Sequence, residues 1–189
     1  MANDRIYDVE GDGGYNRVCD ARIRAAVDRL SERKSRTDKP FAVMFPLEGS
    51  DGLAAARRAV ELADYEADTL TSPARPILLA RGKPSNNIAA NVAPGLAELG
   101  VFLPYTPLHQ LLLSGFGAPL VATSGNISGE PVLTDNDEAT RRLDGIADAF
   151  LHHDRPMVRP ADDPVMRGIA GRARPLRTGR GTAPVEIRL

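Results

Sequence analysis

The chain has 189 residues, with 24 basic and 25 acidic side chains for a formal net charge of −1, 42% hydrophobic residues and one cysteine. That length suits one domain with enough apolar material for a core, and the charge balance excludes binding to nucleic acid or membrane by bulk charge. Cys19 alone excludes an internal disulfide and a multi-cysteine zinc site, no run approaches the roughly 18 apolar residues of a membrane span, and residues 1–5 carry no apolar signal region, so a cytoplasmic protein is expected.

Residues 5–9 read as a short strand, and Glu10-Gly11-Asp12-Gly13-Gly14 as a tight turn. Asp20 is placed to cap a helix running to about Lys34, with Ile23, Ala26, Val27 and Leu30 as its apolar stripe. The continuous apolar run 41–45 predicts a buried strand. Ser50 is placed to cap a second helix to about Leu70, with Leu53, Ala56, Val60 and Ala63 on one face. Residues 76–80 read as a buried strand. Residues 88–103 are mixed, with a short strand, a turn at Pro94-Gly95 and then a strand at 101–103. Thr106 caps a helix with Pro107 at its first position and Leu108, Leu111 and Leu112 inside. A strand at 119–122 and a short helix at 135–143 follow, then strands at 149–151, 165–169 and 185–187. With no tryptophan and 5% aromatic residues, the core is aliphatic. Early alternation of strands and helices, with strands clustered late, predicts an α/β fold: a mixed open sheet with helices packed on it.

Chemistry concentrates first in Ala122-Thr123-Ser124-Gly125-Asn126-Ile127-Ser128-Gly129-Glu130-Pro131. Hydroxyls, an amide and glycine-exposed backbone N–H groups can hold phosphate oxygens and Mg²⁺, although Ser, Asn and Gly are also common in an ordinary strand-to-loop turn. Arg33, Lys34, Arg36 and Lys39 read either as a solvated, dipole-complementing helix end or as a phosphate clamp. In Leu103-Pro104-Tyr105-Thr106-Pro107-Leu108-His109, the helix start can serve an anion or simply begin a helix. His109 reads as structural, since no acidic partner lies at a useful spacing. His152 and His153 are adjacent on a strand, point to opposite faces and lack a third ligand, which argues against a metal site. Arg155 beside them is a candidate anion contact. The late basic residues Arg167, Arg172, Arg174, Arg177 and Arg180 have no interleaved aromatic platform, so a small-anion site or a solvated edge is favoured over RNA.

In order, these motifs are the basic cluster, Thr-Ser-Pro, Leu-Pro-Tyr-Thr-Pro-Leu-His, Thr-Ser-Gly-Asn-x-Ser-Gly-Glu-Pro, His-Asp-Arg-Pro, Asp-Asp-x-Val and Arg-x-x-Arg-Gly-x-Ala-Pro. From about residue 9 to 187 the chain resembles the YrdC-like domain of the HypF carbamoyltransferases of hydrogenase maturation. Residues 101–110 and Ser124-Gly125-Asn126 favour this branch over the threonylcarbamoyl-AMP synthases of tRNA modification. The resemblance implies a YrdC-like twisted, mixed open sheet. It also implies ATP and Mg²⁺ as cofactors, and formation of carbamoyl-adenylate with release of pyrophosphate. Lys34 and Arg36 match the family's Lys-x-Arg, and Ser124 and Asn126 its Ser-x-Asn near the phosphates and Mg²⁺, with no protein cage for the metal. Tyr105, Thr106, Thr123, Arg155, Asp163 and Arg177 fall at nucleotide-binding positions, Val165 in the closing loop with Asp163, and Gly13, Gly14 and Tyr15 in the substrate pocket.

The pattern departs from the family where Glu10 replaces a lysine and Asn16 a histidine, and where the family's leading strand and helix are largely missing. A glutamate at position 10 either faces the triphosphate and repels it or points to solvent. The acylphosphatase, zinc and carbamoyl-transfer modules of HypF have no counterpart here, so residues 1–189 are expected to form a single YrdC-like domain. Its implied partners are a carbamoyl donor, other carbamoyltransferase modules and an acceptor maturation protein. The alternatives are threonylcarbamoyl-AMP synthesis and a nucleotide- or double-stranded-RNA-binding module without catalysis; nucleic acid is not favoured and no membrane is expected.

Overall fold

Backbone hydrogen bonding between extended segments joins the described strands into one nine-stranded sheet. The computed structural model describes residues 4–35, 39–126, 130, 133–155, 157 and 160–184. In chain order the elements are β1 (Tyr7–Glu10), β2 (Tyr15–Asp20), α1 (Arg24–Arg33), β3 (Ala42–Met44), α2 (Ala54–Ala59), α3 (Asp64–Thr71) and β4 (Ile77–Arg81). After a 3-10 turn at Ala90–Val92 come β5 (Glu98–Phe102), α4 (Pro107–Phe116), β6 (Leu120–Ser124), α5 (Asn136–Arg142), β7 (Ala149–Leu151), β8 (Val165–Ile169) and β9 (Arg172–Arg177). The strand order is β7-β1-β2-β6-β3-β5-β4-β8-β9, with parallel and antiparallel pairs mixed, which is the predicted class.

The two sheet faces are packed differently. Cys19, Val121, Val43, Val101 and Leu78 join one apolar cluster with Ala26, Val27 and Leu30 of α1, Ala55, Ala56 and Ala59 of α2, and Ala67 and Leu70 of α3. The alternate residues Val18, Leu120, Met44 and Phe102 face the other way and pack with Leu113 of α4. A third cluster places Tyr15 against Leu133, Ala139 and Leu143 around α5. Among the described residues, no helix is long and apolar enough to cross a membrane.

Several sequence expectations are corrected. Residues 15–20 form a strand, and Asp20 does not cap α1: its carboxylate accepts from the Arg22 backbone N–H and guanidinium, while Ile23 occupies the N-cap without a side-chain bond. The predicted helix from Ser50 divides into α2 and α3, because residue 60 is extended. Asp51, not Ser50, accepts from Leu53 N–H at the entry to α2. In α4, Leu111 is 70% exposed, while His109 and Leu113 are fully buried. Of the three leucines expected inside, Leu108 and Leu112 are half-buried against the Leu113 cluster, and only Leu111 faces solvent. Residues 90–92 form a 3-10 turn where a short strand was expected, and residues 172–177 form an edge strand that had not been predicted. The expected strand at 185–187 lies outside the described residues.

Candidate functional site

On the face that α4 only partly covers, strand register sets Ala122, Ala42, Gly100, Leu79 and Arg167 side by side across five strands. Three of these five side chains are a methyl group or a hydrogen, so this strip of the sheet lies low. Above it opens a cavity of about 600 Å³, walled by Pro40, Phe41, Leu96, Thr123, Ser124 and the Asp162–Asp163 segment. The volume lies in the range of small-molecule and cofactor sites.

Lys34, at the C-terminus of α1 and only 7% exposed, ties the basic cluster to Ser124 in the wall of this cavity. Its Nζ donates to the Ser124 carbonyl at 2.5 Å and to Asn126 Oδ1 at 3.3 Å, and Ser124 Oγ donates to the same Oδ1 at 2.8 Å. Ninety residues of chain are thereby bridged by one ammonium group at the end of β6. Its neighbour Arg33 turns away and bonds Asp148 and the Ile146 carbonyl. Arg36 lies outside the described residues, as does Ser128.

The Asp162–Asp163 segment is held from both sides. Ala161 N–H donates to the Gly13 carbonyl at 3.0 Å, and Arg180 N–H to the Asp162 carbonyl at 2.9 Å. A Cβ at Gly13 would stand 2.6 Å from the Ala161 carbonyl oxygen, and one at Gly179 would collide with the Asp162 carbonyl, so only glycine admits the segment this close. The Arg177 guanidinium bonds the Asp163 carbonyl at 2.7 and 3.1 Å. Arg180 pairs with the Asp163 carboxylate at 3.1 Å and lies 3.5 Å over the Tyr105 ring, a charge-on-aromatic contact. The Tyr105 hydroxyl accepts from Asn16 Nδ2 at 2.9 Å, and its ring meets His109 edge-on at 4.7 Å. Burial pushes the Asp163 carboxyl up, opposed by Arg180. Burial raises the Tyr105 phenol, and the nearby Asp163 charge adds to it. Burial, reinforced by Arg180, pushes His109 down to about 4. A small recess of about 20 Å³ behind the segment is lined by Gly13, Gly14, Tyr15, Asn16 and Tyr105.

The structure thus brings Thr123, Ser124, Asp163 and Arg177 to the wall of one cavity, with Lys34 and Asn126 bonded to Ser124 behind that wall and Tyr105 in the adjoining recess. Other expected residues stand apart. The Thr106 hydroxyl is committed to His109 N–H at 3.0 Å as a helix cap. Arg155 is 76% exposed and faces Asp12 at 3.6 Å, away from the cavity lining. Tyr15 borders the recess, but its hydroxyl bonds Asn136 Oδ1 and His152 Nδ1, both at 2.5 Å. Glu10 neither faces the cavity nor points to solvent. It is 2% exposed, accepts from His153 N–H at 2.8 Å and pairs with His153 Nδ1 at 3.3 Å. Among the described residues, no group of three or more His, Cys, Asp or Glu side chains could hold a metal. Sequence reading missed the Asn16–Tyr105–Arg180 stack and the Glu98–Arg167 pair at 2.7 Å. Both arise from strand register and chain return, which no local motif announces.

A family model for Sua5, YciO and YrdC proteins, described as telomere recombination, matches residues 1–179. The carbamoyltransferase HypF of Synechocystis is 44% identical over 184 residues, covering 97% of this chain but 23% of the relative. A crystal structure of full-length HypF in a phosphate- and nucleotide-bound form superposes with a TM-score of 0.89 at 39% identity, covering 96% of this chain and 28% of that one. Pyrococcus abyssi Sua5 complexed with L-threonine matches at a TM-score of 0.77 and 19% identity, over 93% of this chain and 51% of that one, and so shares the fold. The chain spans about a quarter of the length of the curated relatives it matches.

Proposed function

The chain belongs to the Sua5/YciO/YrdC family, and from that premise we propose that it binds ATP in the cavity and forms carbamoyl-adenylate for protein carbamoylation of the kind used in [NiFe]-hydrogenase maturation. The observation that carries the reading is the Lys34 bridge to Ser124 and Asn126, of which Ser124 lines a nucleotide-sized cavity. Similarity to a carbamoyltransferase over 97% of the chain supports the carbamoyl substrate.

In the proposed step, a carbamate oxygen attacks the α-phosphorus of ATP. The bond between that phosphorus and the β-phosphate bridging oxygen breaks, and pyrophosphate leaves with the electron pair. The chain's part is to position the two anions and neutralise charge. Lys34 supplies a fixed cation, and the Ser124 hydroxyl and the Asn126 amide supply polar contacts at the phosphate end. The hydroxyl oxygen of Ser124 and the amide oxygen of Asn126 are hard donors of the kind Mg²⁺ accepts. Two neutral donors are too few for a protein cage, and their chemistry fits a metal arriving with the triphosphate. Bound there, Mg²⁺ would neutralise phosphate charge. Transfer of the carbamoyl group to an acceptor is assigned to other modules or partners.

Exchange of labelled pyrophosphate into ATP tests the reading. Exchange should depend on carbamate, supplied directly or by prior hydrolysis of carbamoyl phosphate to carbamate and phosphate, and be absent with bicarbonate plus threonine. Exchange only with threonine would replace it by threonylcarbamoyl-AMP synthesis. ATP binding without exchange under either condition would leave a nucleotide-binding module.

A further inference from the structure

The cavity is chemically asymmetric. At the β6 end the wall is Thr123 and Ser124, with Lys34 and Asn126 bonded behind Ser124, while beyond β5 it is Leu79, Val165, the Glu98–Arg167 pair and, beside Val165, Asp163 and Arg177. On β5, Glu98 is two strands from Ser124, about 10 Å at the usual strand spacing, and Arg167 on β8 is four strands from Ala122, roughly 19 Å. An extended nucleotide reaches over that distance. Leu79 and Val165 line the cavity beyond β5, with Leu96 just before that strand, which suits the faces of a flat ring. Glu98 Oε2 and Arg167 Nη2 meet at 2.7 Å, with their side chains 37% and 42% exposed. Arg167 Nε is buried and has no hydrogen-bond partner among the described residues.

A carboxylate only accepts and a guanidinium only donates. Side by side they present one acceptor next to donors. Adenine offers the complement on one edge, with its 6-amino group donating beside the N7 acceptor. Guanine offers two acceptors there, O6 and N7. The pair is internally neutralised, so it is a poor second phosphate site and a good base-edge reader. Resting on the nucleotide reading above, we propose that Glu98 and Arg167 are the base-specificity residues of the site, Glu98 accepting from the adenine 6-amino group and Arg167 donating to N7.

Calorimetric titration of the full chain with ATP and with ITP, which carries a 6-oxo group but keeps N7, tests the assignment. The wild type should bind ATP about tenfold or more tightly than ITP. Glu98→Ala should shrink that ratio to below about threefold, mainly by weakening ATP. Arg167→Met should weaken both nucleotides alike, because N7 is common to them. Lys34→Ala should weaken both and preserve the ratio. Thermal unfolding of each variant separates lost binding from lost fold, and Arg167→Met gives an independent signature should Glu98→Ala not fold. Equal binding of ATP and ITP by the wild type, or an undiminished ratio in Glu98→Ala, overturns the base assignment while the nucleotide reading stands. A wild type that binds neither nucleotide overturns both.

Discussion

The two faces of the central sheet are written by alternate residues of the same strands, yet they serve opposite ends. On one face Val43, Leu78, Val101 and Val121 are fully buried under three helices. On the other, the neighbouring residues Ala42, Gly100 and Ala122 are small, and the space above them is the cavity. The covered face gains stability by removing large aliphatic groups from water. The open face gives up that stabilisation to leave room for a ligand.

The largest expected effect lies at the buried ion pair between Asp8 and Arg17, adjacent across β1 and β2 and both fully buried. Arg17 Nε and Nη2 bond the two carboxylate oxygens at 2.8 and 2.7 Å. Arg17→Met leaves the Asp8 charge buried and unpaired, and should cost about 3–5 kcal/mol. Urea denaturation of the variant measures it. A loss under about 1 kcal/mol would show that Asp8 finds water or a proton with ease.

The comparison of faces is sharpened by a pair of reciprocal substitutions. Leu78→Ala on the covered face should cost about 2–5 kcal/mol through lost burial and the cavity it creates. Ala42→Leu on the open face has space to occupy, and should change stability by no more than roughly 1 kcal/mol while weakening nucleotide binding at least about tenfold. Chemical denaturation and nucleotide titration on both variants break the comparison if Ala42→Leu binds ATP as the wild type does.

His109 offers a pH test of the buried network under the cavity. Its pKa is about 4 in the folded chain, against an ordinary value of 6.5. Between those values the unfolded chain binds the extra proton, so stability falls as pH drops from about 6.5 to 4. The shift sets an upper limit of about 3 kcal/mol on this loss. Asp163, pushed up by burial, contributes with the opposite sign. The difference between wild type and His109→Leu isolates the histidine. Stability curves that stay parallel from pH 7 to 4 would mean that His109 is protonated as readily in the fold as out of it.

How legible these features were follows from how each is built. β3, β4, β5 and β6 lie inside the sheet with one face under the helices, so their sequences contain aliphatic runs that can be read locally. β2 hid because Asn16, Arg17 and Asp20 are polar, and each is buried by a partner elsewhere: Tyr105, Asp8 and Arg22. β9 hid because it is an exposed edge with three arginines and a proline. In the site, Lys34, Ser124 and Asn126 were readable as motifs, because each sits on or beside a glycine turn or helix end. Glu98 was not readable as a site residue, and Arg167 and Arg180 were readable only as members of an arginine cluster that suits a small-anion site or a solvated edge, since their partners come from strand order and from the chain's return past Asp162. Glu10 was read as a residue facing phosphate or solvent, and its burial against His153 corrects that.

The smallest effect is also the finest discrimination, because it separates two consecutive cations. Lys34 is buried and bonds the Ser124–Asn126 loop, whereas Arg33 leaves the same helix end for Asp148, with side chains 27% and 22% exposed. Lys34→Ala removes a charge-assisted contact at the phosphate end and should weaken ATP binding by roughly 1–3 kcal/mol. Arg33→Ala removes a partly solvated ion pair and should cost no more than about 1 kcal/mol of stability, with ATP affinity unchanged. The physical difference is the direction of the side chain, since both residues sit at one helix end and share its dipole. Calorimetric ATP titration and urea denaturation of the two variants give a two-by-two outcome. Equal losses of ATP affinity for both would mean that the helix end acts through its summed charge, and the specific Lys34 bridge would then carry no functional weight.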